Sequence, residues 1–331
     1  MAWTAGLVAL LLVGLSGTAY AMLRHFNDNI QQADITAFVG KEASGGAGEN
    51  ILLIGSGTPI YQGNQYDHLR TDESHTLMLL HISADQKWAN VMSIPTNSWT
   101  HIPSCVTGDG KVSAPVQNQI GQSFATGNGY GNATTLGVSC LVKTVEHNTN
   151  ISIQHFVLVN FYGLGAVVAA LHGVRVCIPT AFTDPATGEH FPAGCHWLTP
   201  DQAVDYAQAV YGINPANTAQ LTSRQQELAT ALIDRAKSEM YDPMTMYHVV
   251  DAITKSLTID TALGGFVGLL KVVQQVYSMP SKDITFFTVP YYPRSIVVPT
   301  DTESVLWKEP QAKKVFTCIR DDIRVSRTAQ C

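Results

Sequence analysis

The sequence predicts an α/β fold, an αβα sandwich in which helices cover a central mixed sheet. Short apolar runs alternate along the chain with longer segments in which apolar residues recur at helical spacing. The strand-like runs are apolar almost throughout. In a sheet with one solvent-exposed face, apolar and polar residues would alternate along each strand. These two patterns together predict a sheet that is covered by helices.

The predicted strands are short apolar runs next to Gly, Pro, Asn or Ser residues. Thr76–Ile82 and Lys87–Ile94 are two such runs, and the polar segment Ser83–Gln86 between them predicts a hairpin. The other predicted strands are Asn50–Gly55, His155–Phe161, Val174–Ile178 and Asp283–Val289.

The predicted helices begin at capping residues or at proline. Asn132 is a suitable N-cap for a helix over Ala133–Glu146. Thr199 followed by Pro200 predicts the start of another helix, which runs to about Val210. Further helices are predicted from Pro115, over Gly163–Leu171 and Ser223–Lys237, from Asp242-Pro243, from Asp260-Thr261, and over Trp307–Ile319.

Length and charge limit the function. A chain of 331 residues that is 45% hydrophobic can bury one large core, or one core with a smaller appendage. Its formal net charge is -6 and its pI is about 6.0, so the composition offers no broad basic face. Nucleic acid is therefore not an expected partner.

The N-terminal residues 1–23 predict export or membrane anchoring. They contain no Asp, Glu, Lys or Arg, and the run Ala5–Gly14 consists almost entirely of Leu, Val, Ala and Gly. The whole segment is long enough to cross a bilayer core. Ala19-Tyr20-Ala21 resembles a signal-peptide cleavage site, although the usual basic start is missing. We expect an uncleaved anchor, with a cleaved signal segment as the alternative.

The remaining chain divides into a short connection and one domain. Residues 24–48 are polar and contain Gly, so a linker is expected there. Residues 49–331 are expected to form a domain outside the cytoplasm, held by a single membrane span or else secreted.

The six cysteines agree with an oxidising compartment. Cys177 and Cys195 flank a turn-rich excursion that a disulfide would close. Pairs between Cys105 and Cys140 and between Cys318 and Cys331 follow by elimination. None of the cysteines has the paired spacing of a zinc site.

Two turns at predicted strand ends are candidate ligand sites. Met92–Pro103 follows a strand that Pro95 ends, because proline has no N–H for the sheet. Thr96 and Asn97 therefore project from the carboxyl end of a strand, where ligands bind in open α/β sheets. Ser56 begins a Ser/Gly turn after the first strand, and such a turn can present N–H groups to a phosphate.

Six motifs in order resemble the LytR-CpsA-Psr family. They are Asn50–Ser56, Thr76–Ile82, Met92–Pro95 with Ile102-Pro103, Lys111–Ala114, Val174–Pro179 with Pro192–His196, and Arg224–Gln226. The match covers roughly Glu49 to Lys237, and the late strand with the following Trp307 helix is also similar to the family's C-terminal end.

The resemblance implies a specific activity. Members of this family are envelope proteins that transfer a glycopolymer from a polyprenyl pyrophosphate carrier onto peptidoglycan. Their αβα domain binds the lipid in an apolar tunnel between sheet and helices, while arginines and carboxylates bind the pyrophosphate and Mg²⁺. The implied partners of this chain are thus a polyprenyl-phosphate-linked glycan, peptidoglycan and the membrane.

The resemblance also assigns roles to individual residues. Lys111, Arg224 and Gln225 match family positions and are the candidate catalytic residues. The candidate substrate-binding residues are Ser56, Arg70, Thr96, Asn97 and Gln208, and Asp72 is the candidate Mg²⁺ ligand.

The chain departs from the family at positions that usually carry Arg or Asp. The Ile-Pro motif is normally followed by Arg and Asp, and here Thr96 and Asn97 stand in those places. The other neutral replacements are Gly57, Pro59, Gln208, Val210, Thr218 and Leu221. Arg70–Asp72 has the residue types of the family's Arg-Ser-Asp step. It stands about three residues too early in the sequence, relative to the second strand, to match that step. Aligned on that strand, the same places hold Glu73–His75.

Two interpretations follow. Each lost guanidinium removes a phosphate contact of roughly 1.5–3 kcal/mol, which favours a catalytically silent member that binds the carrier lipid, the glycopolymer or a partner. The alternative is an active transferase with a rebuilt set of cations, drawn from Lys111, Arg224 and either Arg70 or Lys143.

Overall fold

A computed structural model describes residues 17–39, 46–56, 74–129, 133–184, 187–209, 215–239 and 241–331. The predicted α/β class is confirmed, because a mixed sheet lies between layers of helices. The strands of that sheet are β1 (Gln31–Ala33), β2 (Glu49–Ser56), β3 (Ser74–Ile82), β4 (Ala89–Ser93), β7 (His155–Asn160), β12 (Leu257–Asp260) and β13 (Ile284–Thr288). Shorter strands form four two-stranded sheets: β5 (Trp99–Ile102) with β6 (Val116–Gln119), β8 (Val174–Ile178) with β11 (Gly194–Leu198), β9 (Phe182–Thr183) with β10 (His190–Phe191), and β14 (Tyr291–Pro293) with β15 (Val305–Trp307).

The seven strands of the central sheet follow the order β1-β12-β7-β2-β3-β4-β13. β2 runs parallel to β7 and antiparallel to β3, and β3 is antiparallel to β4. β2, β4 and β7 therefore point the same way, and their carboxyl ends lie along one edge of the sheet. The predicted hairpin between β3 and β4 is confirmed, with Ser83 Oγ accepting hydrogen bonds from the backbone N–H groups of Lys87 and Trp88.

The helices are α1 (residues 17–29), α2 (Thr36–Val39), α3 (Gln122–Asn128), α4 (Thr134–Thr149), α5 (Phe161–Ala170), α6 (Pro200–Gln208), α7 (Pro215–Glu239), α8 (Pro243–Lys255), α9 (Gly265–Ser278) and α10 (Gln311–Arg320). The predicted cap at Thr199 is confirmed: its hydroxyl accepts from the backbone N–H of Gln202, and the Gln202 side chain accepts from the backbone N–H of Thr199. Asp242 caps α8 in the same position before a proline.

Each face of the sheet is covered. Alternate residues of β2 point to opposite faces, so Leu52 and Ile54 pack with α3, α4 and α10. Ile51 lies in a second cluster with Phe26 of α1 and Phe266 of α9. A third cluster joins α5, α6 and α7 to the β8–β11 ribbon. The ribbon and these three helices form the part of the molecule that contains the site described below.

Two predicted helix starts are wrong. Pro115 precedes a strand, because Val116–Gln119 pairs with Trp99–Ile102, and α3 begins only at Gln122. Trp307 is the last residue of a strand that pairs with Tyr291–Pro293, and α10 begins at Gln311. Pro310 disfavours helical backbone in the residue before it, so a helix from Trp307 cannot continue into α10.

Part of the expected linker 24–48 is folded onto the domain. Phe26 and Ile30 are buried in the second cluster, and β1 pairs with β12 at the edge of the sheet. The sequence predicted a linker because residues 24–48 are mostly polar. The side chains that become buried belong to single apolar residues and not to an apolar run. Within the described residues, no helix is long and apolar enough to cross a membrane. The run Ala5–Gly14, on which the predicted anchor depends, lies outside those residues.

The three predicted disulfides are present: Cys105–Cys140, Cys177–Cys195 and Cys318–Cys331. Cys177 and Cys195 are directly opposite each other in the β8–β11 ribbon. The excursion between them, which includes β9 and β10, is therefore closed by a covalent bond at the end of the ribbon.

Candidate functional site

An apolar pocket of about 250 Å³ lies between the sheet and the helices α5, α6 and α7. Its lining residues are Leu53, Ile54, Gly55, Thr76, Met78, Val159, Asn160, Leu164, Ala207, Gln225, Leu228, Ala229 and Leu232. Nearly all of these side chains are hydrocarbon, and the few polar groups are amides and one hydroxyl. Such a pocket suits an apolar ligand with a small polar end.

Among the described residues, the helices leave part of the space over β2, β3 and β7 open. Val159 points from a central strand and is still 40% exposed, although a β-branched residue there is normally buried. Gly55, Ala207 and Ala229 contribute little side-chain volume to the surrounding walls. Within the parts of the chain that the structure describes, these small side chains and the exposed Val159 leave an apolar surface open between the sheet and the helices.

Polar side chains lie where the parallel strands end. Ser56 is the last residue of β2 and stands opposite Asn160, the last residue of β7; both are buried. The loop with Thr96 and Asn97 follows β4 at the same edge, two strands away from β2. At about 4.8 Å per strand, that separation is about 10 Å. The predicted location of Thr96 and Asn97 at a strand's carboxyl end is confirmed, and their role in binding stays a prediction.

The Thr96–Asn97 loop is held by the C-terminal part of the chain. Asn97 Nδ2 donates to the carbonyl oxygen of Glu303 at 2.7 Å, and the backbone N–H of Val305 donates to the carbonyl oxygen of Asn97 at 3.1 Å. Trp307 Nε1 donates to Ser98 Oγ at 2.9 Å. These bonds give Asn97 a structural contact in the position where the family usually has an aspartate.

Arg224 and Gln225 bind the end of α6. The Arg224 guanidinium is buried, donates from Nη2 to the carbonyl oxygen of Ala209, and lies 4.8 Å from the centre of the Phe182 ring. Gln225 Nε2 donates to the carbonyl oxygen of Ala207 at 3.3 Å. Carbonyl groups at a helix C-terminus carry partial negative charge, which a guanidinium neutralises. Arg224 therefore braces α7 against α6, and Gln225 also lines the pocket.

Lys111 lies in an exposed turn and is not among the residues that line the pocket. Its Nζ is 2.7 Å from Asp109 Oδ2, and its side chain is 81% exposed. This ion pair raises the pKa of Lys111, and hydrogen bonds from Lys111 and Thr107 lower the pKa of Asp109. Lys143, the other lysine proposed for a rebuilt cation set, donates to the carbonyl oxygen of Ser104 at 2.9 Å.

Several predicted site residues cannot be placed. Arg70, Asp72, Gly57, Pro59, Glu73 and Val210 lie outside the described residues. Gln208 is the last residue of α6, and Thr218 and Leu221 lie in α7. In the described part of the chain, no group of three or more His, Cys, Asp and Glu side chains is arranged to hold a metal ion. The Mg²⁺ ligand expected at Asp72 stays a prediction.

Two polar groups at the site were not predicted. Asn160 was recognisable in principle, because it lies one residue before the end of the predicted strand His155–Phe161, and polar residues at such strand ends are candidate ligand contacts. Tyr206 donates its hydroxyl to Glu227 Oε2 at 2.9 Å, and burial together with this carboxylate raises the pKa of Tyr206. The Tyr206–Glu227 pair joins α6 to α7 across 21 positions of sequence, and no local pattern signals it.

The fold and the pocket define an αβα-sandwich domain with an apolar pocket between sheet and helices. The sequence model of the LytR_cpsA_psr family matches residues 15–320, and the chain belongs to that family. It is 25% identical over 296 residues to the Bacillus subtilis protein TagT, named polyisoprenyl-teichoic acid–peptidoglycan teichoic acid transferase. That match covers 85% of this chain and 84% of TagT.

A second relative is the cell wall biosynthesis protein LcpA of Corynebacterium glutamicum, 25% identical over 263 residues. The match covers 73% of this chain but only 49% of LcpA, so the chain spans about half the length of that relative.

Solved structures share the fold. The LytR-Csp2A-Psr enzyme from Actinomyces oris superposes with a TM-score of 0.63 at 14% identity, covering 88% of this chain and 96% of that enzyme. TagT bound to LI-WTA superposes with a TM-score of 0.55 at 18% identity and the same two coverages.

The brace formed by Arg224 can be tested by its effect on stability. Arg224→Met keeps the apolar stem of the side chain but removes the charge-assisted bond to the Ala209 carbonyl. We expect the free energy of unfolding to fall by about 1.5–3 kcal/mol, measured by urea denaturation. Arg327→Met, which replaces an exposed arginine near the C-terminus, is the matched control and should change stability little. Equal stability of the two variants would show that Arg224 is not a brace.

Proposed function

We propose that this protein binds a polyprenyl-phosphate-linked glycan in the cell envelope, and that transfer of the glycan to peptidoglycan is reduced or lost. The observation that carries the proposal is the apolar pocket over β2, β3 and β7, which opens beside the polar strand ends at Ser56 and Asn160. A polyprenyl chain matches the apolar walls. Its phosphate would lie among hydrogen-bond donors at the edge of the sheet.

The side chains around that edge support the proposal that catalysis is weak. Phosphoryl transfer depends mainly on positioning and on cations that neutralise the phosphate oxygens. Thr96, Asn97 and Gln225 can donate hydrogen bonds to a phosphate but carry no charge. Arg224 already binds the Ala209 carbonyl, and Lys111 pairs with Asp109 away from the pocket. Asp72, the expected Mg²⁺ ligand, lies outside the described residues.

The second candidate is an active transferase with a rebuilt cation set. One observation favours it: Arg224 is adjacent in sequence to Gln225, a residue of the pocket wall, so a modest shift of the guanidinium would bring a charge to the pocket. Arg70 and Asp72 would complete that set. TagT and related proteins are named as transferases. We propose the same activity for this chain as the alternative.

We also propose that residues 1–23 anchor the chain in the membrane, with the domain on the outer side. The support is the uncharged N-terminal segment, which leads into α1. Sequencing the N-terminus of the mature protein decides between anchor and signal segment. A mature chain that begins at Met22 would exclude the anchor.

Lipid binding should depend on the open volume of the pocket. We expect full-length protein in detergent to bind a fluorescent polyprenyl phosphate, and Ala229→Trp to weaken binding at least tenfold because indole would occupy the space. Val273→Trp, at an exposed position of α9 that is not part of the pocket lining, is the matched control and should bind as the unaltered protein does. If Ala229→Trp and Val273→Trp bind equally well, the pocket is not the lipid site.

Glycan transfer should be slow even though the protein binds the lipid-linked glycan. With a polyprenyl-pyrophosphate-linked oligosaccharide, Mg²⁺ and peptidoglycan strands, we expect glycan transfer at least 100-fold slower than by TagT under the same conditions. Loss of one group that stabilises transition-state charge commonly costs about 10²–10³ in rate.

A transfer rate within tenfold of TagT would contradict the loss of catalysis and establish the rebuilt site. In that case Lys111→Ala and Arg224→Ala identify which cation acts. The melting temperature of Arg224→Ala must be measured alongside, because Arg224 also braces α7.

A further inference from the structure

A second concavity, a cleft of about 600 Å³, lies between the β8–β11 ribbon and α7. It is lined by Arg175, Val176, Cys177, Trp197, Glu227, Thr230, Ala231, Asp234, Arg235 and Ser238. Unlike the apolar pocket, this cleft combines an indole, guanidinium groups, carboxylates and hydroxyls. We call it the ribbon cleft.

The floor of the ribbon cleft is an exposed aromatic platform. Trp197 stands opposite Arg175 in the antiparallel register, and Cys195 stands opposite Cys177, so all four residues are on one face of the ribbon. The Cys177–Cys195 disulfide ties the two strands beside the platform. Trp197 is nevertheless 57% exposed, whereas residues on the other face of the ribbon are buried in the third cluster.

The indole is also fixed in orientation. The Arg235 guanidinium lies 5.3 Å from the Trp197 ring centre. Arg235 is itself held by two bonds, from Nε to the carbonyl oxygen of Leu171 at 3.1 Å and by an ion pair with Glu239 at 2.5 Å. A cation above an indole ring is attracted to its negative face. Trp197 is therefore a preorganised and largely uncovered surface.

The wall of the ribbon cleft is one polar side of α7. Glu227, Thr230, Asp234 and Ser238 follow each other at intervals of three or four residues, which places them on one side of a helix. From Glu227 to Ser238 there are eleven steps, or about 16 Å at 1.5 Å per residue. The cleft thus offers a row of acceptors and hydroxyls along an extended ligand.

This combination fits a carbohydrate chain. A pyranose ring has a face of C–H groups, which pack on the negative face of an aromatic ring, and a rim of hydroxyl and amide groups, which hydrogen-bond to carboxylates, hydroxyls and guanidinium groups. Because Glu227 and Asp234 balance Arg175 and Arg235, the cleft has no excess positive charge to attract a polyanion. An uncharged amino-sugar glycan is the ligand class that matches both the aromatic floor and the balanced charge.

The cleft and the apolar pocket share α7. Gln225, Leu228 and Leu232 line the pocket, and Glu227, Asp234 and Ser238 line the cleft on another side of the same helix. Glu227 of the cleft is the sequence neighbour of Leu228 of the pocket, so the two sites lie on either side of the same turn of α7. We infer that the ribbon cleft binds the acceptor glycan strand, with Trp197 as its stacking platform. The inference rests on the proposed function, in which the apolar pocket holds the lipid-linked donor.

The test is glycan binding by full-length protein in detergent, measured by isothermal titration calorimetry. The probes are oligomers of N-acetylglucosamine, as an uncharged amino-sugar glycan, and, separately, a teichoic acid polymer as a charged glycopolymer. We expect the N-acetylglucosamine oligomers to bind and the polyanion to bind at least tenfold more weakly. Trp197→Ala and Arg175→Ala should each weaken binding of the N-acetylglucosamine oligomers at least tenfold.

Tyr241→Ala is the matched control, because Tyr241 is an aromatic residue that is 88% exposed and lies outside the cleft. Polyprenyl phosphate binding is measured on the same preparations. Loss of glycan binding in Trp197→Ala with unchanged lipid binding supports the inference. Equal glycan binding by Trp197→Ala and unaltered protein, absence of glycan binding by unaltered protein, or preference for the polyanion would each overturn it. Trp197-dependent glycan binding without any lipid binding would refute the proposed function but leave the assignment of the cleft intact.

Discussion

The structure depends on the burial of both faces of β2. Residues 51–54 are apolar and alternate between the two sides of the sheet, so helices must cover each side if the strand is to remain in the interior. On one side, α3, α4 and α10 pack tightly against Leu52 and Ile54. On the other side the covering layer is divided: α1, α8 and α9 lie over one part, and α5, α6 and α7 lie over the other. The apolar pocket is the space that this divided layer leaves open.

α7 is the element through which the candidate sites are connected. Its first described side chains, Arg224 and Gln225, hold the carbonyl groups at the end of α6. Further along, one side faces the pocket and another faces the ribbon cleft. Tyr206 adds a third contact by donating to Glu227. A change in how α7 packs on α6 would therefore alter the apolar pocket and the cleft together, which is why stability must be measured for every variant in this region.

The sequence predicts the features that are determined locally or by simple chemistry. Apolar runs and capping residues identify most strands and helices, and the Cys177–Cys195 pair follows from the turn-rich segment that it encloses. The errors at Pro115 and Trp307 have a common cause, because both segments pair with strands that only the folded chain brings near. The same limit applies to the site. Positions such as Thr96 can be located from motifs, but the brace at Arg224 and the register that sets Trp197 against Arg175 are products of tertiary packing.

Binding and transfer have different physical requirements, and the proposed function separates them. Burial of a lipid methylene contributes about 0.8 kcal/mol, so about two to four buried methylenes offset one lost guanidinium contact of about 1.5–3 kcal/mol. A long polyprenyl chain can thus stay bound after several cations have been replaced. The apolar contacts are the same before and during the reaction, however, so they do nothing to stabilise the charge that develops on the phosphate. Neutral residues such as Thr96 and Asn97 at the sheet edge are therefore expected to affect the rate much more than the affinity. In the proposed function, the pocket walls carry the part that these substitutions leave intact.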